Sequence, residues 1–184
     1  MFYAGVGALG QPTPSSRAFC YQYQQVKAAL IATIENMAQH ATYEDVNLIL
    51  RLYEMRREDK MRDARAWFSG NFKPASMAEM LEQFPMGSEA STHMRQVVSY
   101  WEMVASFMTS DVLNKDLYFQ SGQELLLVWT RLKAVVPEMR VAFNNPAIYA
   151  NLEAVANDYI AFMNAKDPGA YAAFEARING MVKK

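Results

Sequence analysis

Between Asp116 and Glu153 the chain reads DLYFQSGQELLLVWTRLKAVVPEMRVAFNNPAIYANLE, and this stretch constrains the fold more than any other. Leu125, Trp129, Leu132, Val136, Met139 and Phe143 follow in alternating steps of four and three, the spacing that lines one face of a helix. Leu126, Val128 and Val135 widen the stripe, so the helix should be covered on more than one side. Pro137 has no N–H to donate to the carbonyl of Lys133, so the central helix must kink or restart there. Asn144 and Asn145 end it, and Pro146 suits the first turn of a following helix capped by Asn145. That helix carries Ile148, Leu152, Val155, Tyr159 and Phe162 on one face. Such aromatic and aliphatic stripes read as core, with Trp129 at its centre.

The rest of the chain reads as helices able to pack around this stretch. Residues 1–15 are rich in Gly and Pro and read as an irregular arm. Gly5-x-Gly7-x-x-Gly10 matches a dinucleotide fingerprint in form, but that motif works only between a strand and a helix, and neither flanks it. A first helix is expected over 16–39, and a second from Thr42, with Asp45 completing a capping box, to Phe68. The Arg51–Arg65 segment interleaves acids and bases, with Glu54–Arg57 and Glu58–Arg62 at neighbour spacing, and reads as a solvated face. Ser76-x-x-Glu79 opens a short helix to Phe84, and a long one follows from Ser88 to Thr109 with Met94, Val97, Trp101, Val104 and Met108 inward. Asn114 caps a short helix to Gln120, and a last helix from Pro168 aligns Tyr171, Phe174, Ile178 and Met181.

Chemistry is harder to find. Net charge is −1, from eighteen basic and nineteen acidic residues, which gives no general attraction to nucleic acid. The single cysteine, Cys20, excludes an internal disulfide and a cysteine zinc site, and fits a reducing compartment. His40 and His93 are far apart, and Glu89 with His93 is a lone pair one turn apart, so no metal and no cofactor is expected. Glu102 and Glu124 lie in apolar surroundings, but salt bridging suits them better than general acid work. Arg140, between Met139 and Val141, needs an acid if it is buried. Its candidate partners are Glu102, favoured because its helix has most reason to pack on the central one, and Glu153.

The series Gly122, Trp129, Pro137, Arg140, Pro146, Tyr149 and Glu153 resembles an uncharacterised bacterial all-helical family, one of the domains of unknown function. Val98-Ser99-Tyr100-Trp101-Glu102 and the Arg-rich helix before it extend the resemblance over roughly residues 44–160. It implies a helical fold and brings no activity with it. Some relatives look anchored by an N-terminal hydrophobic helix; here Lys27–Asn36 is broken by charge and too short to span a membrane.

The expectation is a single all-α domain over 1–184, a bundle of six to eight helices with a central helix kinked at Pro137. The leading function is a non-enzymatic interaction or structural module of the cytoplasm, with a protein partner or self-association favoured by the 52% hydrophobic content. The alternative is a small-molecule binder or enzyme with an inter-helix pocket near Trp129, Arg140 and Tyr149.

Overall fold

The structure, a computed structural model, describes residues 21–30 and 40–181. The chain divides into two compact units, Met1–His40 and Ala41–Lys184. In the first, residues 21–30 are helical, inside the expected first helix; the rest of that helix and the Gly/Pro-rich arm lie outside the described residues.

The second unit holds nine helices among its described residues: α1 (Tyr43–Arg56), α2 (Asp59–Asn71), α3 (Met77–Gln83), α4 (Glu89–Thr109), α5 (Lys115–Phe119), α6 (Glu124–Leu132), α7 (Val136–Ala142), α8 (Ala150–Lys166) and α9 (Ala170–Gly180). No strand occurs among the described residues, so the all-α class holds, while the count exceeds six to eight.

Two breaks supply the extra elements, one unmarked by the periodicity and one the restart expected at Pro137. The expected helix from Thr42 to Phe68 is interrupted at Arg57 and Glu58. Arg57 closes α1 with its N–H on the carbonyls of Glu54 and Met55, and Glu58 turns extended at ψ 142° so that its carboxylate accepts from Met61 N–H. The carboxylate satisfies an N-terminal donor of α2 that the helix itself leaves unpaired. The central helix likewise restarts: α6 ends at Leu132, and Pro137 sits in the first turn of α7, where its missing N–H costs nothing.

Other ends follow the sequence. Thr42 and Asp45 form the full capping box, and Ser76, Ser88 and Asn114 each accept an N–H of the turn they open. Asn145-Pro146 departs from expectation. Asn145 Oδ1 accepts from Ala147 N–H at 2.9 Å, making a local turn, and the helix starts only at Ala150.

Packing centres on α4 rather than on the Asp116–Glu153 stretch. Helices α2 and α8 make the largest contacts with α4, and α6 packs on α8 and α4; α9 covers α6 and α8. The inward residues Met94, Val97, Trp101, Val104 and Met108 are all buried. In α6, seven of nine residues are buried, as a stripe on more than one side requires. Phe143 is the exception to its stripe. It caps α7, the backbone reverses at Asn144 (φ 47°), and its ring faces solvent.

Candidate functional site

Four of the five residues singled out by sequence meet where α8 begins. Tyr149 precedes α8 in a left-handed conformation, φ 54°, which a bulky side chain rarely adopts and which the surroundings must hold in place. No side chain of its own segment caps the helix. Glu102 reaches across from α4 instead, accepting from the N–H groups of Asn151 (3.3 Å) and Leu152 (2.9 Å) and from Asn151 Nδ2 (2.8 Å). A carboxylate there satisfies orphan donors and faces the positive end of the helix. Burial, and then the Glu102 charge, push the Tyr149 phenol above its ordinary range.

Arg140 does not pair with Glu102. Its Nη2 lies 2.7 Å from Glu153 Oε2, without an N–H directed along that contact; the aligned bond runs from Nε to Ile148 O at 3.0 Å. The favoured partner fails because Glu102 is taken by the helix N-terminus, through three donors on Asn151 and Leu152. Trp129 is buried in α6 and makes none of these hydrogen bonds or ion pairs. Tyr149 lines a shallow cavity of about 550 Å³ with Arg95, Gln96 and Ser99. Trp129, Arg140 and Tyr149 do not meet in that cavity or in the three described below, so the expected pocket among them has no counterpart there.

The deeply buried arginine is Arg131, which the sequence reading passed over. It is 2% exposed, against 23% for the Arg140 side chain. Its Nη2 donates to Ile178 O in the last turn of α9 at 2.5 Å, while Nε and Nη1 have no partner among the described residues. Burial lowers its pKa. The signal was present in the apolar run around Thr130-Arg131-Leu132, where the argument applied to Arg140 held with more force.

The Arg51–Arg65 segment is only partly a solvated face. Arg51 pairs with Glu54 (3.1 Å) and Arg62 with Asp59 (2.7 Å), both exposed and both different from the expected pairs. Arg56 and Arg65 turn inward across the α1–α2 break onto Glu124, the first residue of α6. Arg65 grips Glu124 through Nε and Nη2, and its Nη1 also donates to Arg56 O at 3.1 Å. Arg56 Nη1 donates to Glu124 Oε2 at 3.0 Å. One carboxylate thus serves two guanidinium groups. Glu102 and Glu124 belong to separate networks and form no carboxylate pair.

Beside this ion cluster, between α1, α4 and α5, lies a cavity of about 270 Å³ walled by Leu52, Tyr53, Arg56, Tyr100, Trp101 and Tyr118. Trp101 and Tyr118 meet edge to face with centroids 6.4 Å apart, and Tyr100 meets Trp101 likewise at 5.0 Å. Tyr100 donates its hydroxyl to Leu52 O at 2.7 Å. Burial pushes its pKa up to about 12, and that of Tyr118 well above the ordinary phenol range, so both are neutral donors at pH 7. Gly122 is needed here: a Cβ would fall 2.9 Å from the Tyr118 ring. Three polar atoms of these walls have no partner among the described residues, namely Arg56 Nε, Trp101 Nε1 and Tyr118 Oη.

A second cavity of about 520 Å³ adjoins it, sharing Tyr53 and Arg56 and adding Arg57, Arg62 and Arg65. A third, of about 630 Å³, shares Arg62 and Arg65 and continues to Phe174 and Arg177. Among the described residues no group of three or more His, Cys, Asp or Glu could hold a metal, and no helix is long and apolar enough to cross a membrane. His93 packs against Trp67, centroids 5.7 Å apart.

No curated protein and no solved structure matches the chain. The domain of unknown function DUF4760 matches residues 41–159, closely the span of the sequence resemblance and the greater part of the chain. Those residues include the helices that build both the α8 joint and the aromatic cavity, and the chain belongs to that family.

Proposed function

We propose that this protein is a non-enzymatic interaction module, cytoplasmic and self-associating, and that the outer face of α1 is its contact surface. One observation carries this. Tyr43, Val46, Leu50 and Tyr53 are 77%, 41%, 55% and 44% exposed and follow in steps of three, four and three, while Asp45 and Leu52 turn to the core. An apolar stripe at this spacing is what a partner helix packs against. A second copy presenting the same stripe gives a two-fold contact between identical faces. Four side chains cover less than a standard interface, so the association is weak and reversible.

Light scattering or sedimentation at tens of micromolar tests the reading. The wild type should show a concentration-dependent dimer, and Val46→Glu should return it to monomer with unchanged helicity. Val46 lines none of the cavities above, so this substitution leaves them intact. A wild type that stays monomeric at these concentrations removes the proposal.

A further inference from the structure

We infer that the aromatic cavity between α1, α4 and α5 is a binding site for a small aromatic carboxylate, with the ring against Tyr100, Trp101 and Tyr118 and the carboxylate at Arg56. Four independent features of the same walls point there.

The first is size and lining. About 270 Å³ enclosed mainly by aromatic and aliphatic side chains lies at the small end of ligand sites, and a few polar groups among apolar walls are what such sites use to orient a ligand. The second is unmet hydrogen bonding. Trp101 is 2% and Tyr118 is 5% exposed, yet among the described residues the indole N–H and the phenol have no partner, and neither does Arg56 Nε–H. Buried donors are nearly always paired in folded proteins, so three unpaired around one cavity is a concentration that calls for an acceptor. The indole and guanidinium can only donate, and the phenol can donate, which selects a ligand rich in acceptors.

The third is charge. Arg56 and Arg65 share the single carboxylate of Glu124, and the adjoining cavity adds Arg57 and Arg62, of which Arg62 is paired with Asp59. Guanidinium groups therefore outnumber acids around the shared wall at Tyr53 and Arg56, and an anionic group is favoured over a neutral acceptor. With Tyr100 and Tyr118 held neutral by burial, nothing in the aromatic wall repels it. The fourth is the backbone at Gly122, where the absence of a side chain lets the Tyr118 ring lie across the cavity wall.

The three unpaired atoms are themselves covered by protein, so the ligand engages them through a side-chain rotation. Charge-assisted hydrogen bonds return more than a rotamer change costs. The site overlaps the outer stripe of α1 at Leu50 and Tyr53, while Tyr43 and Val46 belong only to the stripe and Trp101 and Tyr118 only to the cavity.

Isothermal titration of the full chain with 2-naphthoate, at moderate salt, tests the inference. One molecule should bind per chain. The methyl ester, which has the same ring and no charge, should bind at least tenfold more weakly. Tyr118→Phe keeps the ring and removes the donor, Trp101→Phe replaces the indole with a smaller ring that has no donor, and each should weaken 2-naphthoate binding severalfold; Arg56→Met should weaken it tenfold or more. Lys73→Ala, which removes a surface ammonium bonded to Asn179 O and lines none of the cavities, should change nothing. No heat of binding to the folded wild type, or equal binding of acid and ester, overturns the inference. So does full-strength binding by Trp101→Phe and Tyr118→Phe together, which would locate the naphthoate elsewhere. Val46→Glu should bind as the wild type does, so failure of the self-association proposal and failure of this one are read from different variants.

Discussion

Tyr118 is a phenol buried against Gly122 with no hydrogen-bond partner among the described residues, whereas Tyr100, one helix away, donates to Leu52 O. A buried unpaired group carries its full desolvation cost of about 1–3 kcal/mol, and a paired one contributes about 1 kcal/mol. The same chemical change should therefore have opposite signs at the two positions. Tyr118→Phe is expected to raise stability by about 1 kcal/mol or more and Tyr100→Phe to lower it by about as much. Urea midpoints at constant m-value read this directly, and a destabilised Tyr118→Phe would mean that its hydroxyl is satisfied in solution. Arg131 poses the question with a charge. Only one of its nitrogens has a partner, a backbone carbonyl, and no carboxylate is paired with it among the described residues. Arg131→Met keeps the length of the side chain and removes the buried charge, so stability should hold or rise, by up to about 2 kcal/mol. A loss above about 1.5 kcal/mol would instead make the bond to Ile178 O the larger effect.

At the scale of elements, the sequence specified what local chemistry decides and missed what geometry at a distance decides. Capping residues at Thr42, Ser76, Ser88 and Asn114 act within one turn, and each was legible. The restart after Leu132 was legible through Pro137, whereas the break at Arg57–Glu58 was not, because the apolar spacing continues across it as though one helix ran through. The partners of long side chains were least legible. Glu124 lies 59 residues from Arg65, and no periodicity marks that pairing. At the α8 joint the sequence found Arg140, Glu102, Tyr149 and Glu153, and of the two candidate partners of Arg140 it favoured Glu102 where the structure has Glu153. It could not register that Tyr149 would take a left-handed turn and leave the helix start open to Glu102. Double-mutant cycles separate the two assignments. Arg140→Ala and Glu153→Ala should show a coupling of about 0.5–1 kcal/mol, since both groups are partly exposed, while Arg140→Ala and Glu102→Ala should add to within about 0.5 kcal/mol. Additivity in both pairs would leave Arg140 held only by Ile148 O.

Across the whole molecule, net charge of −1 leaves little general repulsion near neutral pH, so a few specific groups set how stability responds to acid and alkali. On the acid side stands Asp45, which accepts from the Thr42 hydroxyl (2.6 Å), from Thr42 N–H and from Asn114 N–H, tying the start of α1 to the start of α5. The Thr42 hydroxyl bond leads in holding its pKa below the usual carboxylate value, against the opposing effect of burial. A depressed carboxyl contributes stability that is complete above its unfolded pKa, about 4, and is lost as pH falls through the folded value. On the alkaline side stand four phenols, Tyr100, Tyr118, Tyr149 and Tyr159, each raised chiefly by burial and Tyr100 to about 12. Their unfolded forms release a proton near pH 10 that the folded forms keep, so stability is complete below about pH 10 and falls above it, by about 1.4 kcal/mol per pH unit for each phenol. With four groups against one, the alkaline limb should be the steeper. Thermal melts from about pH 3 to 11 give the two limbs. Asp45→Asn should flatten the acid limb and leave the alkaline one, and Tyr159→Phe, which loses only its bond to Phe119 O, should make the alkaline limb shallower. Tyrosinate absorbance followed with far-ultraviolet circular dichroism supplies the direct check. These four phenols should ionise only as helicity is lost; if every tyrosine titrates near pH 10 while the helices persist, the phenols are not held in a closed core.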